Sequence, residues 1–201
     1  MSDLLAFVQL GVRHILDVEA VDHILFLVAL AAIYRPRDWH AALWVVSAFT
    51  VGHSVTLALA VTGVVRFPAP VIEFLIPVTI VATAVENLTR GRRGAAPPDG
   101  RLRALLAGAF GLVHGAGFAN YLRDVFADRV ALPLFGFNVG IEVGQVVVLA
   151  GAFAALALLD CAIARAVALR RGQDALAWRV SAVSLAVALV ATRWAVERAP
   201  W

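Results

Sequence analysis

The stretch HILDVEAVDHILFLV, residues 14–28, mixes apolar and ionisable residues and then becomes wholly apolar. Two histidines, His14 and His23, flank three carboxylates, Asp17, Glu19 and Asp22. The apolar run continues to residue 34 and is typical of a helix entering a membrane. Ionisable residues are costly in a bilayer and usually face the interior of a helix bundle. The pair Asp22–His23 therefore predicts polar partners at the same depth.

The composition indicates an integral membrane protein. Of the 201 residues, 62% are hydrophobic and 15% are charged, and the mean hydropathy is +0.86. Ordinary soluble domains are about 45–50% apolar and about 25% charged. All 17 basic residues are arginines, and their spread along the chain argues against a nucleic-acid surface, which needs a clustered basic face. The single cysteine, Cys161, excludes an intrachain disulfide.

Six stretches approach the roughly 20 apolar residues that a membrane-spanning helix needs. They are residues 15–34, 41–62, 70–89, 102–121, 132–159 and 177–197. The opening residues, 1–13, can form a short interfacial helix before the first span. We therefore expect an all-α bundle of about six transmembrane helices, in contact with lipid, that forms one polytopic domain over residues 1–201. An oligomer is compatible with this pattern.

The distribution of arginine predicts the orientation, because cytoplasmic loops carry an excess of basic residues. Alternate connections are rich in arginine, and on the opposite side the arginines are fewer and mixed with carboxylates. The arginine-rich connections hold Arg35, Arg37, Arg90, Arg92, Arg93, Arg101, Arg103, Arg165, Arg170, Arg171 and Arg179. Both termini are therefore expected outside a bacterial-type cytoplasmic (inner) membrane.

Four polar residues from four spans are predicted to share one depth. At a rise of about 1.5 Å per residue, His53 and His114 lie about 18 Å above the cytoplasmic ends of their spans. His23 and Glu142 lie about 13 Å below the outer ends of theirs. Any one of them could simply fasten two helices by a hydrogen bond, but four at one level favour a shared site.

Other polar residues have candidate roles around this site or along a pathway through it. Asn138, Glu142 and Gln145 share one face of their helix, since they are four and three residues apart, and Glu19 has the same relation to His23. Glu73 could guard an entrance from outside or be an interfacial carboxylate. These supporting residues are Glu19, Glu73, Glu86, Asn138 and Gln145.

Three histidines with nearby carboxylates suit a divalent transition metal. Imidazole binds zinc, copper, iron and nickel, and the added oxygen ligands favour no single one. The HExxH, GxSxG, P-loop and dinucleotide signatures are missing, which removes the familiar hydrolase and nucleotide-binding classes. Small residues surround His53 and His114, in the related segments AFTVGH (48–53) and AFGLVH (109–114), and permit either close helix packing or room for an ion.

Five segments resemble the HupE/UreJ family of hydrogenase and urease accessory membrane proteins, specifically its second branch. They are GVRHILDVEAVDHILFLVAL (11–30), FTVGHSVTLALA (49–60), VIEFLIPVTI (71–80), GLVHGAGFANYLR (111–123) and LPLFGFNVGIEVGQ (132–145). The resemblance implies a metal permease associated with nickel, or with cobalt, for metalloenzyme maturation. It places the metal-site residues at His14, Asp22, His23, His53, His114 and Glu142, with Asn138 and Gln145 nearby. Two positions depart from the family pattern: Ala20 replaces a common glycine, and Ile15 follows His14 where the nickel-linked first branch has proline.

Three functions fit these observations. The first is a permease for a divalent transition metal, with nickel, cobalt or zinc as the ion. The second is an intramembrane metalloenzyme in which the ion activates water for hydrolysis, because few polar residues lie below the histidine level. The third is a structural or assembly protein.

Overall fold

The computed structural model describes residues 2–18, 21–91, 100–125, 130–166 and 175–200, and these residues form α-helices and a 3-10 turn but no β-strand. The helices are α1 (Ser2–Leu16), α2 (Asp22–Ala31), α3 (Trp39–Val61), α4 (Ala69–Gly91), α5 (Gly100–Val125), α6 (Ala131–Ala166) and α7 (Ala175–Glu197). The 3-10 turn, Pro36–Asp38, leads directly into α3. The all-α prediction is confirmed.

Within the described residues, four helices, α3, α4, α6 and α7, are long and apolar enough to cross a membrane. Helix α5 is also long, at 26 residues, but it is less apolar. Helix α2 is apolar but has only 10 residues. The protein is therefore a multi-pass α-helical membrane protein, as expected, whereas the count of six spans and the orientation stay predictions.

The first predicted span, 15–34, is not one continuous helix. Helix α1 ends at Leu16, and α2 begins at Asp22. A helix of 10 residues is about 15 Å long, about half the thickness of the hydrocarbon core. The break coincides with the carboxylate-rich part of the opening stretch, and Asp22 in the first turn of α2 suits the positive end of the helix dipole. Helix α1 thus corresponds to the short helix expected over residues 1–13, whereas α2 is much shorter than the span expected over residues 15–34.

Glycines bring α3 and α5 into direct backbone contact. A side chain at any of three positions would collide with the neighbouring backbone, because its Cβ would lie closer than 3.0 Å to a backbone atom. The collisions pair Gly52 with Gly108, Gly111 with Phe49, and Gly115 with His53. Gly108 also lies opposite Ala48, so the residue numbers in the series 48–108, 49–111 and 53–115 increase together and α3 and α5 are parallel. Close approach is thus the structural role of the small residues around His53 and His114.

Helices α1 and α6 form a second close pair. The contacts join Gly136 to Leu4, Gly140 to Val8, and Gly144 to Ile15. They advance together along both helices, so α1 is parallel to the first part of α6. This packing places the end of α1, which carries His14, beside Phe137 of α6, with 5.6 Å between the ring centroids. A position of α1 along the membrane surface stays a prediction.

Candidate metal centre

Three histidines from three helices form a compact cluster, which we call the triad: His14, His23 and His53. One ring nitrogen of each lies within 4.8 Å of a ring nitrogen of the other two. The ring centroids of His14 and His23 are 4.6 Å apart, and each lies 6.0 Å from that of His53. His23 and His53 are buried, whereas His14 is half-buried.

The break between α1 and α2 creates the triad. His14 lies near the end of α1, and His23 lies in the first turn of α2. In one continuous helix, these two residues would be about 13 Å apart along the axis. Because the helix is interrupted, their rings are in edge-to-face contact instead. The opening stretch therefore carries two parts of one site.

A fourth histidine, His114, lies next to the triad on the side of α4 and α5. Its ring centroid is 5.3 Å from that of His23, and its side chain is 1% exposed. Its Nε2 lies 3.0 Å from the hydroxyl oxygen of Thr79 on α4. The predicted shared level of His23, His53 and His114 thus corresponds to actual proximity.

Aromatic rings enclose these imidazoles. Phe118 lies 4.0 Å from His14, and Phe26 and Phe49 lie 5.2 and 5.1 Å from His114, between ring centroids. Phe137 packs on Phe118 in a stacked arrangement at 5.6 Å. Sequence reasoning missed this aromatic shell. The sequence does indicate this shell, because Phe26, Phe49 and Phe118 each lie three or four residues from a histidine and hence on the same helix face.

Several ring nitrogens in this apolar enclosure have no hydrogen-bond partner among the described residues. They are His14 Nε2, His114 Nδ1 and both ring nitrogens of His23 and His53. An unpaired buried polar group costs roughly 1–3 kcal/mol, so a ligand that uses these nitrogens would be strongly favoured. A neutral imidazole offers one lone pair to a cation. Two nitrogens bound to one ion at about 2.1 Å are at most about 4.2 Å apart, so small side-chain movements would complete a three-nitrogen site.

The predicted carboxylate partners lie outside the triad. Both oxygens of Asp22 accept hydrogen bonds from the Arg198 guanidinium, at 3.1 and 3.3 Å. Glu142 accepts a hydrogen bond from the hydroxyl of Ser47 at 3.3 Å, about two turns of α3 away from His53. Glu73 is exposed, and Glu19 lies outside the described residues.

Two amides on α6 lie in this region, Gln145 fully buried and Asn138 half-buried. Gln145 is 0% exposed, and its Oε1 accepts a hydrogen bond of 2.7 Å from Thr50, which lies one turn from His53. The buried Oδ1 of Asn138 has no partner among the described side chains and backbone groups. Gln145 thus joins the predicted polar face of α6 to the helix that carries His53.

A model of the HupE / UreJ protein family matches residues 1–198 of the chain. The chain belongs to the HupE/UreJ family. Neither the curated proteins nor the solved structures contain a significant match to it. The match spans α1 to α7, so the triad, His114 and the α6 amides all belong to the HupE/UreJ portion of the chain.

Two buried arginines of this HupE/UreJ protein close the other end of α2. Arg103 donates to the Leu30 carbonyl at 3.3 Å and pairs with Glu86 at 3.2 Å. Arg179 donates to the carbonyls of Ala32 and Tyr34 and pairs with an aspartate of α6. The Arg179 distances are 3.2 Å to Ala32, 2.7 Å to Tyr34 and 2.6 Å to Asp160. We call this arrangement the arginine layer.

The arginine layer contains two arginines that the orientation prediction assigned to loops. Arg103 and Arg179 were counted among the loop arginines, but their side chains are 1% and 0% exposed. Glu86, a candidate pathway residue, belongs to the same layer, and so does Asn87, which donates to the Ala29 carbonyl at 2.7 Å and accepts from Arg103 at 3.0 Å. These side chains satisfy carbonyls that the C-terminus of α2 leaves free.

Proposed function

We propose that this protein is a membrane permease for a divalent transition metal ion, with nickel or cobalt as the leading candidates. The observation that carries the proposal is the triad, in which imidazoles from α1, α2 and α3, two of them buried and that of His14 half-buried, lie close together without hydrogen-bond partners among the described residues. Membership of the HupE/UreJ family supports the choice of nickel or cobalt.

The donor set selects a class of ion. Nitrogen ligands suit late transition metals, whereas magnesium and calcium require oxygen ligands. Asp22 and Glu142 are engaged by Arg198 and Ser47, so the nearest ligands to an ion in the triad are imidazoles. His114, 5.3 Å from His23, can add a fourth nitrogen or hold a second ion. Zinc shares this preference and is the natural competitor.

We propose that the ion enters from the outer face of the cytoplasmic membrane. His14 is half-buried and lies next to the chain segment between α1 and α2, which the arginine distribution predicts to be outside. On the other side of α2, the arginine layer, with its ion pairs Arg103–Glu86 and Arg179–Asp160, lies between the triad and the cytoplasm. Release to the cytoplasm would therefore require movement of α2 relative to the arginine layer.

The arginine layer also favours a second candidate, an intramembrane metalloenzyme. A metal site that is closed inward by the buried ion pairs of this layer would suit hydrolysis better than passage. In that case a metal-bound water would attack a substrate that enters between α1 and α2. A structural or assembly role with a permanently bound ion is the third candidate.

Metal uptake into liposomes that contain the purified protein distinguishes these candidates. We expect Ni²⁺ or Co²⁺ to accumulate inside, and we expect His53→Gln to abolish both uptake and binding. His40→Gln is the matched control, because His40 is exposed and stacks on Trp39 rather than joining the triad. Binding that depends on His53 without any uptake would contradict a permease and favour the enzyme or the structural role. Binding unaffected by His53→Gln would overturn the site itself.

A further inference from the structure

Thr79 on α4 contacts the only one of the four clustered histidines that has a hydrogen-bond partner among the described residues. The side chain of Thr79 is 6% exposed. Its hydroxyl oxygen makes two contacts. One is to the backbone carbonyl of Ile76 at 2.7 Å, and the other is to Nε2 of His114 at 3.0 Å. These two contacts determine where the protons lie.

A hydroxyl has a single proton to donate, and a carbonyl can only accept. The hydroxyl proton of Thr79 must therefore point to Ile76, because no other arrangement makes that contact a hydrogen bond. The oxygen of Thr79 then faces His114 with a lone pair, and the ring must donate. His114 consequently carries its proton on Nε2.

This tautomer determines the state of the other ring nitrogen of His114, Nδ1. A neutral imidazole with a proton on Nε2 has its lone pair on Nδ1. His114 Nδ1 is buried and without a partner among the described residues, and the ring lies 5.3 Å from His23. That nitrogen is thus left free to bind an ion beside the triad.

We propose that Thr79 is a positioning residue that holds His114 in the Nε2–H tautomer and so presents Nδ1 as a further metal ligand next to the triad. The ligand part rests on the proposed function, whereas the tautomer part is a property of the metal-free protein. Groups that orient a metal-binding histidine through its second nitrogen commonly change metal affinity by about 10–100-fold when removed.

The test uses the full-length protein labelled with ¹⁵N-histidine in detergent micelles. Two-bond ¹H–¹⁵N correlation spectra report which nitrogen of each ring is protonated, and His114→Gln identifies the His114 signals. We expect the Nε2–H tautomer in the metal-free wild type and in Thr79→Ser. In Thr79→Val, which removes the hydroxyl but keeps the shape, we expect a mixture of tautomers. Thr83→Val is the matched control, since Thr83 is equally buried on α4 but donates only to the Thr79 carbonyl.

Nickel titration of the wild type and the three threonine variants tests the ligand part. Thr79→Val should weaken binding about tenfold or more, while Thr79→Ser and Thr83→Val should bind like the wild type. A proton on Nδ1 of His114 in the wild type would overturn the tautomer assignment, even if Thr79→Val does not fold. Unchanged affinity in a folded Thr79→Val would overturn the ligand role. If the wild type binds no metal, the proposed function fails, but the spectra still decide the role of Thr79.

Discussion

Replacing Gly111 by alanine should separate α3 from α5 and so disturb the metal centre. Gly111 faces the backbone of Phe49 and His53, and an added Cβ would lie closer than 3.0 Å to these backbone atoms. Ordinary contact begins at 3.4 Å, so the helices must move apart by several tenths of an ångström or more. The obstacle is backbone, which cannot rotate away as a side chain can.

The size of the effect follows from two opposing contributions. Overpacking a well-packed interface typically costs about 1–3 kcal/mol, while alanine gains about 1 kcal/mol over glycine in helix propensity. Because the collision is between backbones, we expect the upper part of the range and a net loss of about 1–2 kcal/mol. His53 and His114 lie on the two displaced helices, and sites of this kind tolerate errors of about 0.5 Å. Metal affinity should fall on the order of tenfold, or about 1.4 kcal/mol.

The assay combines unfolding in mixed detergents, followed by tryptophan fluorescence, with calorimetric metal titration. Gly151→Ala is the matched control, since Gly151 is exposed on α6 and a Cβ there meets nothing within 4 Å. It should leave metal affinity unchanged and raise stability slightly. A Gly111→Ala protein as stable as Gly151→Ala, with wild-type affinity, would refute the inference that close packing of α3 and α5 sets the spacing of the histidines.

Three further predictions concern the arginine layer, the orientation and the pH dependence. Arg103→Met should cost about 1.5–3 kcal/mol by removing charged hydrogen bonds to buried groups, whereas exposed Arg165→Met should cost little in the same unfolding assay. In a Cys161→Ser background, an impermeant thiol reagent added to intact cells should label Thr62→Cys but not Thr89→Cys; the reverse pattern would invert the orientation. Metal affinity should weaken below about pH 6, because protons compete with the metal for imidazole lone pairs. Calorimetry in buffers of different ionisation enthalpy should detect the protons that metal binding releases. A heat of binding that does not depend on the buffer would exclude histidine ligands.

The proximity of three histidines could be predicted from the sequence because depth follows from counting residues. His53 and His114 lie at similar distances from the starts of α3 and α5, and helix rise converts these distances into one level. The count for His23 assumed a continuous helix from residue 15, whereas α2 begins only at Asp22. The ring centroids are indeed 5.3 Å (His23–His114) and 6.0 Å (His23–His53) apart. Only the family resemblance placed His14 among the site residues. Its position depends on the break before α2, and the hydropathy pattern does not reveal that break.

Other parts of the site depend on side-chain direction, which residue spacing does not determine. An arginine near the end of a span can turn outward to water or inward to free carbonyls, and Arg103 and Arg179 turn inward. Likewise, the depth of Glu142 was counted from its backbone, but its carboxylate reaches Ser47 instead of the histidines. The contact between Thr79 and His114 joins two helices and has no signal within either one.

X-ray absorption spectroscopy of the nickel-loaded protein tests the central claim most directly. The claim is that the triad binds the metal through imidazole nitrogens. We predict nitrogen neighbours at about 2.0–2.1 Å, with the outer scattering pattern of at least three imidazole rings. His14→Gln and His53→Gln should each remove one imidazole from that pattern, while His40→Gln should leave it unchanged. An ion surrounded by oxygen alone, or an imidazole count unaffected by His14→Gln and His53→Gln, would contradict the account.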